Sequence, residues 1–565
     1  MAKPAPPPAN LAQSIAQALA LHQQGRLDEA EKAYSRVLKM QRDNFDAMHL
    51  LGMLNHQRGK TGEAYRLIVA ALKLNPRSPD ALSNLALVLH TLKRDGEALA
   101  HLDKALALAP GHGDALTNRG NVLLELKRPE EAIAAFDAVL AQQPRHVQAR
   151  VNRGNALIEL GRNEQAVAEY DAALAVAPGH PLALTNRGNA LRRLGREQEA
   201  IASYERALSA APNHLNAWLN RGLALAALNR FQDALSSYGK VLAMQPDHAD
   251  AHFNAAMALL TIDDYRRGLA EYEWRWKRTG MSPRKDFRKP LWLGETPLGN
   301  RTILLHAEQG LGDTVQFVRY APLLARGGAK VVLEAPPELK ELLAGLEGVT
   351  AIVARGEALP PHDVHCPLAS LPLACKTDIA SIPAEIPYLR AAEQRLAKWR
   401  PRLESLPSPR IALAWSGSGS HPNDRNRSLS LSRLEPLLSS PGVSFVSVQR
   451  ELRPADAELL ARDGRITHLG EELNDFADTA AVLALCDLAI CVDTSVAHVA
   501  GALGRPAFVL LPFQPDWRWM LDRDHSPWYP AIRLFRQRAL GDWAGVMARV
   551  RVELAGALAL VLAGG

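Results

Sequence analysis

The sequence contains little cysteine and no long apolar run. None of its four cysteines belongs to a CxxC pair. A zinc site needs clustered Cys/His ligands and a disulfide framework needs more cysteine, so we expect reduced, mostly buried thiols. No stretch approaches the roughly 18 uninterrupted apolar residues of a membrane helix. The cysteines are Cys366, Cys375, Cys486 and Cys491.

The sequence also lacks a strong excess of either positive or negative charge. Sixty-six Lys and Arg against sixty Asp and Glu leave a net charge of +6, and no Lys/Arg-rich tract appears. This charge distribution does not support a nucleic-acid partner. The opening residues, MAKPAPPPAN, lack the apolar core of a signal peptide. We expect a cytoplasmic protein with a disordered stretch at residues 1–10 and no transmembrane segment. The sequence leaves the oligomeric state open.

Residues 11–282 repeat with a period of 34 residues. Asparagine and proline recur at this interval, as does a small residue that is followed four positions later by an aromatic or large apolar one. The spacing resembles the tetratricopeptide family, whose units are pairs of antiparallel helices. We therefore predict an N-terminal all-α solenoid of about eight repeats. They begin near residues 11, 45, 79, 113, 147, 181, 215 and 249.

The repeated asparagines form a predicted ladder along the concave side of the solenoid. A carboxamide both donates and accepts, so each could hold the backbone of an extended protein or peptide. The alternative is that the amides stabilise contacts between repeats. Arginines beside the ladder could likewise favour acidic clients or pair with acidic residues on neighbouring helices. The ladder residues are Asn84, Asn118, Asn152, Asn186, Asn220 and Asn254, and the arginines are Arg119, Arg153, Arg187 and Arg221.

The period is lost from about residue 300, where short apolar strands alternate with amphipathic helices. Such alternation indicates parallel sheets with crossover helices. We predict two Rossmann-like domains facing a cleft, at 301–390 and 410–565, with a linker at 283–300 and a hinge at 391–409. Ligands of such sheets bind at the carboxyl ends of the strands. The predicted strands are Ile303–His306, Val331–Glu334, Ile352–Ala354, Ile411–Trp415, Val443–Val448, Leu488–Val492 and Ala507–Leu511.

The clearest candidate site follows the strand that ends at Val492. Asp493 closes the strand, Thr494 or Ser495 caps a helix, and His498 lies one turn into that helix. Free N–H groups at a helix start favour an anion, so a diphosphate fits here. An ordinary N-cap is the alternative.

The loop from Ser416 to Ser428 also follows a strand. Its hydroxyls and glycines, together with two arginines, suit phosphate in the absence of a metal. No DxD motif for a divalent cation stands out in either domain. A mobile surface loop is the alternative. We take Ser416, Gly417, Arg425 and Arg427 as candidate donor-binding residues, and Gln449 as a candidate contact for base or ribose.

A third candidate is the loop AEQGLGDTVQF at 307–317. Gly310 and Gly312 lack the third glycine of a dinucleotide fingerprint and the GK[ST] of a P-loop. Its glycines therefore let the chain turn closely at the cleft instead of holding phosphate. Asp313 and Gln316 follow them, and Asp313 could cap the helix that begins there.

These motifs resemble the family 9 glycosyltransferases, best known as ADP-heptose:lipopolysaccharide heptosyltransferases. The resemblance covers residues from about 295 to 565 and depends on Gly312-Asp313 and on Asp493-Thr494-Ser495 with His498. It implies an inverting α/β GT-B enzyme that needs no metal or other cofactor and binds a nucleotide-diphosphate sugar in its second domain. By resemblance, Asp313 is the base that takes the proton of an acceptor hydroxyl, so the loop with Gly310, Gly312 and Gln316 is the acceptor loop. The helix cap is the alternative role for Asp313. The second motif contacts the donor. Ser495 stands where the family has glycine.

The whole chain also resembles bacterial tetratricopeptide glycosyltransferases, and its architecture is similar to that of O-GlcNAc transferases. We interpret it as a glycosyltransferase that modifies a protein held in the repeat groove. One alternative is a lipopolysaccharide or polysaccharide acceptor, with the array recruiting a partner. Another is a non-catalytic scaffold. The segments that carry this resemblance are Glu273-Trp-Arg-Trp276, Pro290-Leu-Trp-Leu-Gly294 and Ser526-Pro-Trp-Tyr-Pro530.

Overall fold

The computed structural model describes residues 11–280, 288–421 and 423–563. The chain forms two compact units, the first ending at Ala224 and the second beginning at Leu225. The predicted disordered stretch at 1–10 and the predicted end of the array at residue 282 lie outside the described residues.

Residues 11–272 form sixteen α-helices in antiparallel pairs. The first helix of each pair begins at the residue predicted from the 34-residue period, from Leu11 to Ala249. The helices are α1 (Leu11–Gln23), α2 (Leu27–Met40), α3 (Phe45–Gln57), α4 (Thr61–Leu74), α5 (Pro79–Thr91), α6 (Asp95–Leu108), α7 (Gly113–Glu125), α8 (Pro129–Gln142), α9 (Val147–Glu159), α10 (Asn163–Val176), α11 (Pro181–Arg193), α12 (Glu197–Ala210), α13 (Leu215–Ala227), α14 (Phe231–Met244), α15 (Ala249–Thr261) and α16 (Tyr265–Tyr272).

Local chemistry fixes the ends of these helices. In five repeats a histidine side chain caps the first helix by accepting a hydrogen bond from the backbone N–H three residues on, as His146 does from Ala149. The repeated alanines and aromatics fill the space between helices, and Ala166 and Tyr170 are almost fully buried. The period therefore encodes both helix boundaries and helix packing.

The chain after residue 300 contains two parallel sheets. The first has the order β3-β2-β1-β4 and the second the order β10-β9-β8-β5-β6-β7. The strands are β1 (Thr302–His306), β2 (Lys330–Ala335), β3 (Val349–Ala354), β4 (Val364–Pro367), β5 (Arg410–Ala414), β6 (Ser444–Ser447), β7 (Ile466–His468), β8 (Leu488–Val492), β9 (Ala507–Leu511) and β10 (Ile532–Arg536).

Helices connect these strands, as expected for parallel sheets. None of the described helices combines the length and apolar character needed to cross a membrane. The helices are α17 (Leu311–Phe317), α18 (Tyr320–Arg326), α19 (Pro337–Leu343), α20 (Leu371–Ala374), α21 (Glu393–Glu404), α22 (Asp424–Arg427), α23 (Glu435–Leu438), α24 (Pro454–Arg462), α25 (Phe476–Leu485), α26 (Ser495–Ala502) and α27 (Trp543–Ala563).

Each sheet has a point where the strand order reverses, and the crevice at that point is where ligands bind in open α/β sheets. In the first sheet it lies between β1 and β4, and in the second between β5 and β8. The loops that leave β1, β5 and β8 are those that carry the predicted acceptor and donor residues. The topology thus brings the predicted donor residues after β5 and β8 to one sheet edge.

Two segments predicted as connections are built into the fold. The segment 391–409, predicted as a hinge, contains α21, where Trp399 is buried and donates a hydrogen bond to Asp478 of α25. Its apolar residues recur at helical spacing, and its role as a hinge stays a prediction. In the predicted linker 283–300, Leu291 forms a parallel β-bridge with His365 of β4. This part of the linker extends the edge of the first sheet.

The asparagine ladder makes contacts between repeats. Asn186 Nδ2 donates to Asn155 Oδ1 at 2.9 Å, and Asn220 Nδ2 donates to Asn189 Oδ1 at 3.0 Å. Asn152 Nδ2 donates in the same way to Asn121. Earlier in the array, Asn84 pairs with His49 and Asn118 with Ser83, whereas Asn254 lies half-buried in α15. The inter-repeat role of these amides is therefore observed, and their peptide-binding role stays a prediction.

The arginines beside the ladder also pair within the array. Arg153 and Arg187 lie 2.7 and 2.6 Å from aspartates of the preceding helix, and Arg119 and Arg221 have equivalent acidic partners. This confirms the pairing alternative for all four arginines. Their charge is locally balanced, so they give no net preference for an acidic client.

We expect Asn155→Ala to destabilise the first unit by about 1–3 kcal/mol, because Asn155 Oδ1 accepts hydrogen bonds from both Tyr170 Oη and Asn186 Nδ2. Urea unfolding followed by far-UV circular dichroism measures the change. Asn213→Ala, in an exposed turn of the same unit, is the matched control. Equal unfolding midpoints for the two variants would contradict the prediction.

Candidate active site

Asp313 lies in the first turn of α17, directly after the loop that leaves β1. Its Oδ2 accepts a hydrogen bond from the Gly310 N–H at 3.0 Å, and its Oδ1 forms an ion pair with Arg518. About a quarter of the side chain is exposed. Asp313 therefore makes the capping contact that was the alternative to a catalytic role, and its carboxylate also reaches solvent.

The motif after β8 forms the start of α26. Thr494 is the N-cap residue, but its side chain makes no capping hydrogen bond, and Thr494 Oγ1 is buried without a partner among the described residues. Ser495 is the first helical residue and His498 is buried in the first turn. The helix start thus presents backbone donors together with a hydroxyl that has capacity for a ligand.

The acceptor loop and the donor motif meet at Gly312. A Cβ atom at this position would lie 2.7 Å from His498 Cδ2 and 3.4 Å from Ser495 Cα. Only glycine allows α17 to approach α26 so closely. The structure therefore brings Asp313 and the Asp493–His498 motif into one site between the two sheets.

The loop after β5 contributes Arg427 to this site. Arg427 Nη1 donates to the backbone oxygen of Asp493 at 2.9 Å, which joins the two loops at the switch point of the second sheet. A Cβ atom on Gly417 would lie 2.5 Å from Arg427 Nη2, so glycine makes room for the guanidinium. Arg425 is exposed and Ser416 is buried. Of the two arginines predicted to bind phosphate, Arg427 is therefore the one that lies next to the start of α26.

Gln449 has a structural role. Its Oε1 accepts hydrogen bonds from the N–H groups of Trp415 and Ser416, and its Nε2 donates to the carbonyls of Ser416 and Glu451, all at 3.0 Å. These four bonds use the full capacity of a carboxamide. The predicted contact with base or ribose is therefore not available to this side chain.

A tryptophan-arginine-tryptophan motif, Asp516–Trp519, holds Asp313 from the second sheet. Its Arg518 is buried, pairs with Asp516 at 2.8 Å as well as with Asp313, and lies over the rings of Trp517 and Phe317. The prediction missed this arginine. An aromatic enclosure of this kind excludes water and strengthens both ion pairs.

The segment that follows α16 has the same sequence pattern and contacts the same loop at Glu308. Glu273–Trp276 is again an acidic residue followed by Trp-Arg-Trp, and Arg275 is 1% exposed. Arg275 lies 2.5 Å from Glu273 and 3.2 Å from Glu308, and it donates to Ser370 Oγ at 2.6 Å. Two motifs with one sequence pattern therefore hold one loop, through Glu308 and Asp313.

The repeat tail makes a further contact with this loop through Tyr272. Gln309 Nε2 donates to Tyr272 Oη at 2.9 Å. Glu308 Oε1 also accepts a hydrogen bond from the Ala369 N–H after β4. Burial raises the pKa of Glu308 to about 7, while Arg275 acts in the opposite direction. The switch point of the first sheet is thus occupied by protein side chains.

The site has uneven electrostatics. Burial lowers the pKa of His498 to about 3, with Arg518 acting in the same direction, so its imidazole is neutral; Nδ1 lies 3.0 Å from Tyr529 Oη. Burial and the nearby Asp516 raise the pKa of Asp493. Gln316 is fully buried, and neither of its amide atoms has a partner among the described residues. Arg427 and Arg518 therefore supply positive charge to the site, whereas the His498 side chain is polar but uncharged.

Comparison with protein families supports both halves of this architecture. Tetratricopeptide repeat models match residues 117–181, 151–215 and 219–274, and a second such model matches 77–145. A model of anaphase-promoting complex, cyclosome, subunit 3 matches residues 23–105. The model of glycosyltransferase family 9 (heptosyltransferase) matches residues 450–511, which include β8 and α26. The chain thus contains tetratricopeptide repeats followed by parallel α/β sheets, part of which is similar to family 9.

Individual relatives cover only parts of the chain. Protein FlbA of Caulobacter vibrioides is 28% identical over 303 residues, which cover 48% of this chain and 49% of FlbA, so the match spans about half of that relative. A tetratricopeptide repeat protein of known structure from Parabacteroides merdae is 19% identical, with a TM-score of 0.37, over 44% of this chain and 98% of its own. TTC0263, a TPR protein of Thermus thermophilus, is 25% identical, with a TM-score of 0.29, over 32% and 99%.

We expect Arg275→Met to destabilise the second unit by about 3–5 kcal/mol, because it leaves the largely buried Glu308 without its cation. Adding Glu308→Gln should recover part of this loss, which gives a coupling energy of about 1 kcal/mol or more. Urea unfolding followed by tryptophan fluorescence measures both values, since nine of the ten tryptophans follow Leu225.

Arg278→Met is the control for this cycle. Arg278 pairs with Asp250 at a partly exposed site, so its loss should cost no more than about 1 kcal/mol. Additive effects of Arg275→Met and Glu308→Gln would show that the two side chains do not depend on each other.

Proposed function

We propose that this protein is a glycosyltransferase that transfers a sugar from a nucleotide-diphosphate sugar to a hydroxyl of an acceptor protein recruited by the repeats. The observation that carries the proposal is the meeting of Asp313 with the Asp493–His498 motif at Gly312. The family 9 match, at residues 450–511, contains this second motif. In the proposal the two sheets belong to GT-B-type domains at 301–390 and 410–565.

The donor diphosphate is proposed to bind at the start of α26. The backbone N–H groups there, Thr494 Oγ1 and the Arg427 guanidinium converge on the switch point of the second sheet. Such donors stabilise the charge that develops on a departing diphosphate. The proposal assigns this role to Arg427 and the helix start without a divalent cation. Transfer in the presence of EDTA tests that assignment.

Asp313 is proposed to act as the general base. The acceptor oxygen attacks the anomeric carbon, the bond from that carbon to the diphosphate oxygen breaks, and the hydroxyl proton passes to the Asp313 carboxylate. Each carboxylate oxygen keeps a lone pair beyond its bond to Gly310 or Arg518. Attack from the face opposite the leaving group gives inversion.

A glycan acceptor is the second candidate, favoured by the heptosyltransferase description of the matching family. Lysate labelled with radioactive nucleotide sugars separates the candidates. Label on protein bands supports the protein acceptor, whereas label that migrates with lipid or polysaccharide supports the glycan. Nucleotide binding with neither donor hydrolysis nor transfer would make the chain a non-catalytic scaffold.

We expect Asp313→Asn to lower the transfer rate by about hundredfold or more and to leave nucleotide binding nearly unchanged, because only the proton acceptor is lost. Single-turnover transfer and calorimetry measure the two quantities. Asp516→Asn is the matched control, since it removes the other carboxylate partner of Arg518. Full activity in Asp313→Asn, or an equal loss in both variants, would remove Asp313 from the base role.

We expect Arg427→Ala to weaken binding of the nucleoside diphosphate about tenfold or more, since a charge-assisted contact is lost. Thermal-shift titrations with ADP, GDP, UDP and CDP measure the change and identify the base. Arg433→Ala, an exposed arginine of the same domain, should bind like the wild type. Unchanged affinity in Arg427→Ala would place the diphosphate elsewhere.

A further inference from the structure

His421 lies in the loop that follows β5, between Gly417 and Arg427, and the sequence-based set of donor contacts did not include it. Two turns hold its backbone. The His421 N–H donates to the Ser418 carbonyl at 3.1 Å, and the His421 carbonyl accepts from the Asp424 N–H at 2.9 Å. The second turn leads into α22, which ends at Arg427. Backbone hydrogen bonds therefore hold His421 a short distance along the chain from the proposed diphosphate contact.

The His421 ring has a defined arrangement of donor and acceptor. Its Nδ1 accepts a hydrogen bond from the Asn423 N–H at 3.1 Å. In a neutral imidazole one ring nitrogen accepts and the other carries the proton, so Nε2 is a donor here. Because the lone pair of Nδ1 is already used, the ring is not a base for an acceptor hydroxyl. The residue is exposed, and it can offer the Nε2–H to an anion.

Charges from several loops of the candidate site act on this ring. Burial lowers the pKa of His421, and the Arg427 guanidinium acts in the same direction, so the imidazole is neutral at physiological pH. The carboxylates of Asp516, Asp313 and Asp424 act in the opposite direction. Of these, Asp516 follows β9 and Asp313 follows β1. His421 therefore lies where the loops of the two sheets come together.

The three carboxylates offer little repulsion to an anion, because each is paired with an arginine. Asp313 and Asp516 share a single buried arginine, and Asp424 pairs with Arg453 at 2.6 Å. Arg427, by contrast, lies 4.0 Å from Asp424, beyond hydrogen-bond distance. Its positive charge therefore remains available to a ligand on the same loop as the His421 ring.

We infer that His421 is a further binding residue for the donor diphosphate, with its Nε2–H donating to a phosphate oxygen beside the Arg427 guanidinium. The inference rests on the proposed function and deepens it, because it adds a contact from the loop after β5 to the donors at the start of α26. A hydrogen bond from a neutral N–H to a charged oxygen is charge-assisted, and it does not require a second cation next to Arg427.

The test measures nucleoside diphosphate binding to the full chain by calorimetry, with ADP, GDP, UDP and CDP as probes. For the probe that binds most tightly, His421→Ala should weaken binding about fivefold to tenfold, because one charge-assisted hydrogen bond is lost. His421→Gln places an amide N–H near the position of Nε2 and should stay within about threefold of wild type. His421→Asn places its amide near the position of Nδ1 and should lose as much affinity as His421→Ala.

His525→Ala is the matched control, since it removes an exposed histidine of the same domain, and it should bind like the wild type. Circular dichroism checks that the variants are folded. Equal affinity of His421→Ala and the wild type would overturn the inference, and so would equal affinity of His421→Gln and His421→Asn.

The outcomes separate this inference from the proposed function. Unchanged binding by His421→Ala together with weaker binding by Arg427→Ala would refute the histidine contact and leave the proposed donor site. Weaker binding by His421→Ala without transfer from any donor sugar would keep the contact and refute the enzyme. Failure of all four probes to bind the wild type would overturn both proposals.

Discussion

The loop from Ala307 to Asp313 is held at two points by buried arginines, and the geometry of the candidate site depends on this restraint. Arg275 pairs with Glu308 and Arg518 pairs with Asp313, five residues further along. Each arginine also pairs with the acidic residue of its own Trp-Arg-Trp motif. One motif follows the last repeat helix and the other follows β9. The loop therefore joins the end of the repeats, the first sheet and the second sheet.

Buried ion pairs of this kind contribute geometry more than stability. Removing two charges from water costs several kcal/mol per ion, and the attraction between them offsets this cost only when the geometry is good. A different loop conformation would leave Arg275 and Arg518 each with only the carboxylate of its own motif, and it would separate the largely buried Glu308 from its cation, which is unfavourable. The aromatic residues around Arg518 increase this penalty because they exclude water. We infer that the two motifs restrict the loop to one conformation, in which Gly312 contacts α26 and Asp313 faces the cleft.

The sequence predicts the repetitive and apolar parts of this fold well, because periodic packing leaves a periodic pattern. Every first helix of the array begins where the 34-residue period places it, and the seven predicted strands are present. The missed strands, β4, β7 and β10, lie at the edges of the two sheets. Their apolar signal is weak, because β4 and β7 have only four and three residues and β10 has arginine at two of five positions. Sheet topology then explains why the loops after β5 and β8 meet.

The side-chain contacts of the site are less predictable, because they depend on residues far apart in the chain. The pairing of Asp313 with Arg518 spans 205 positions, and no local pattern around Asp313 indicates it. One signal was available: the acidic-Trp-Arg-Trp pattern occurs at both 273–276 and 516–519. Gln449 shows the opposite error, since a polar residue at a strand end suggested a ligand contact although the backbone uses all of its hydrogen-bonding capacity. Polar residue type and position therefore locate a candidate site, but only the contacts separate the residues that hold it together from those available to a substrate.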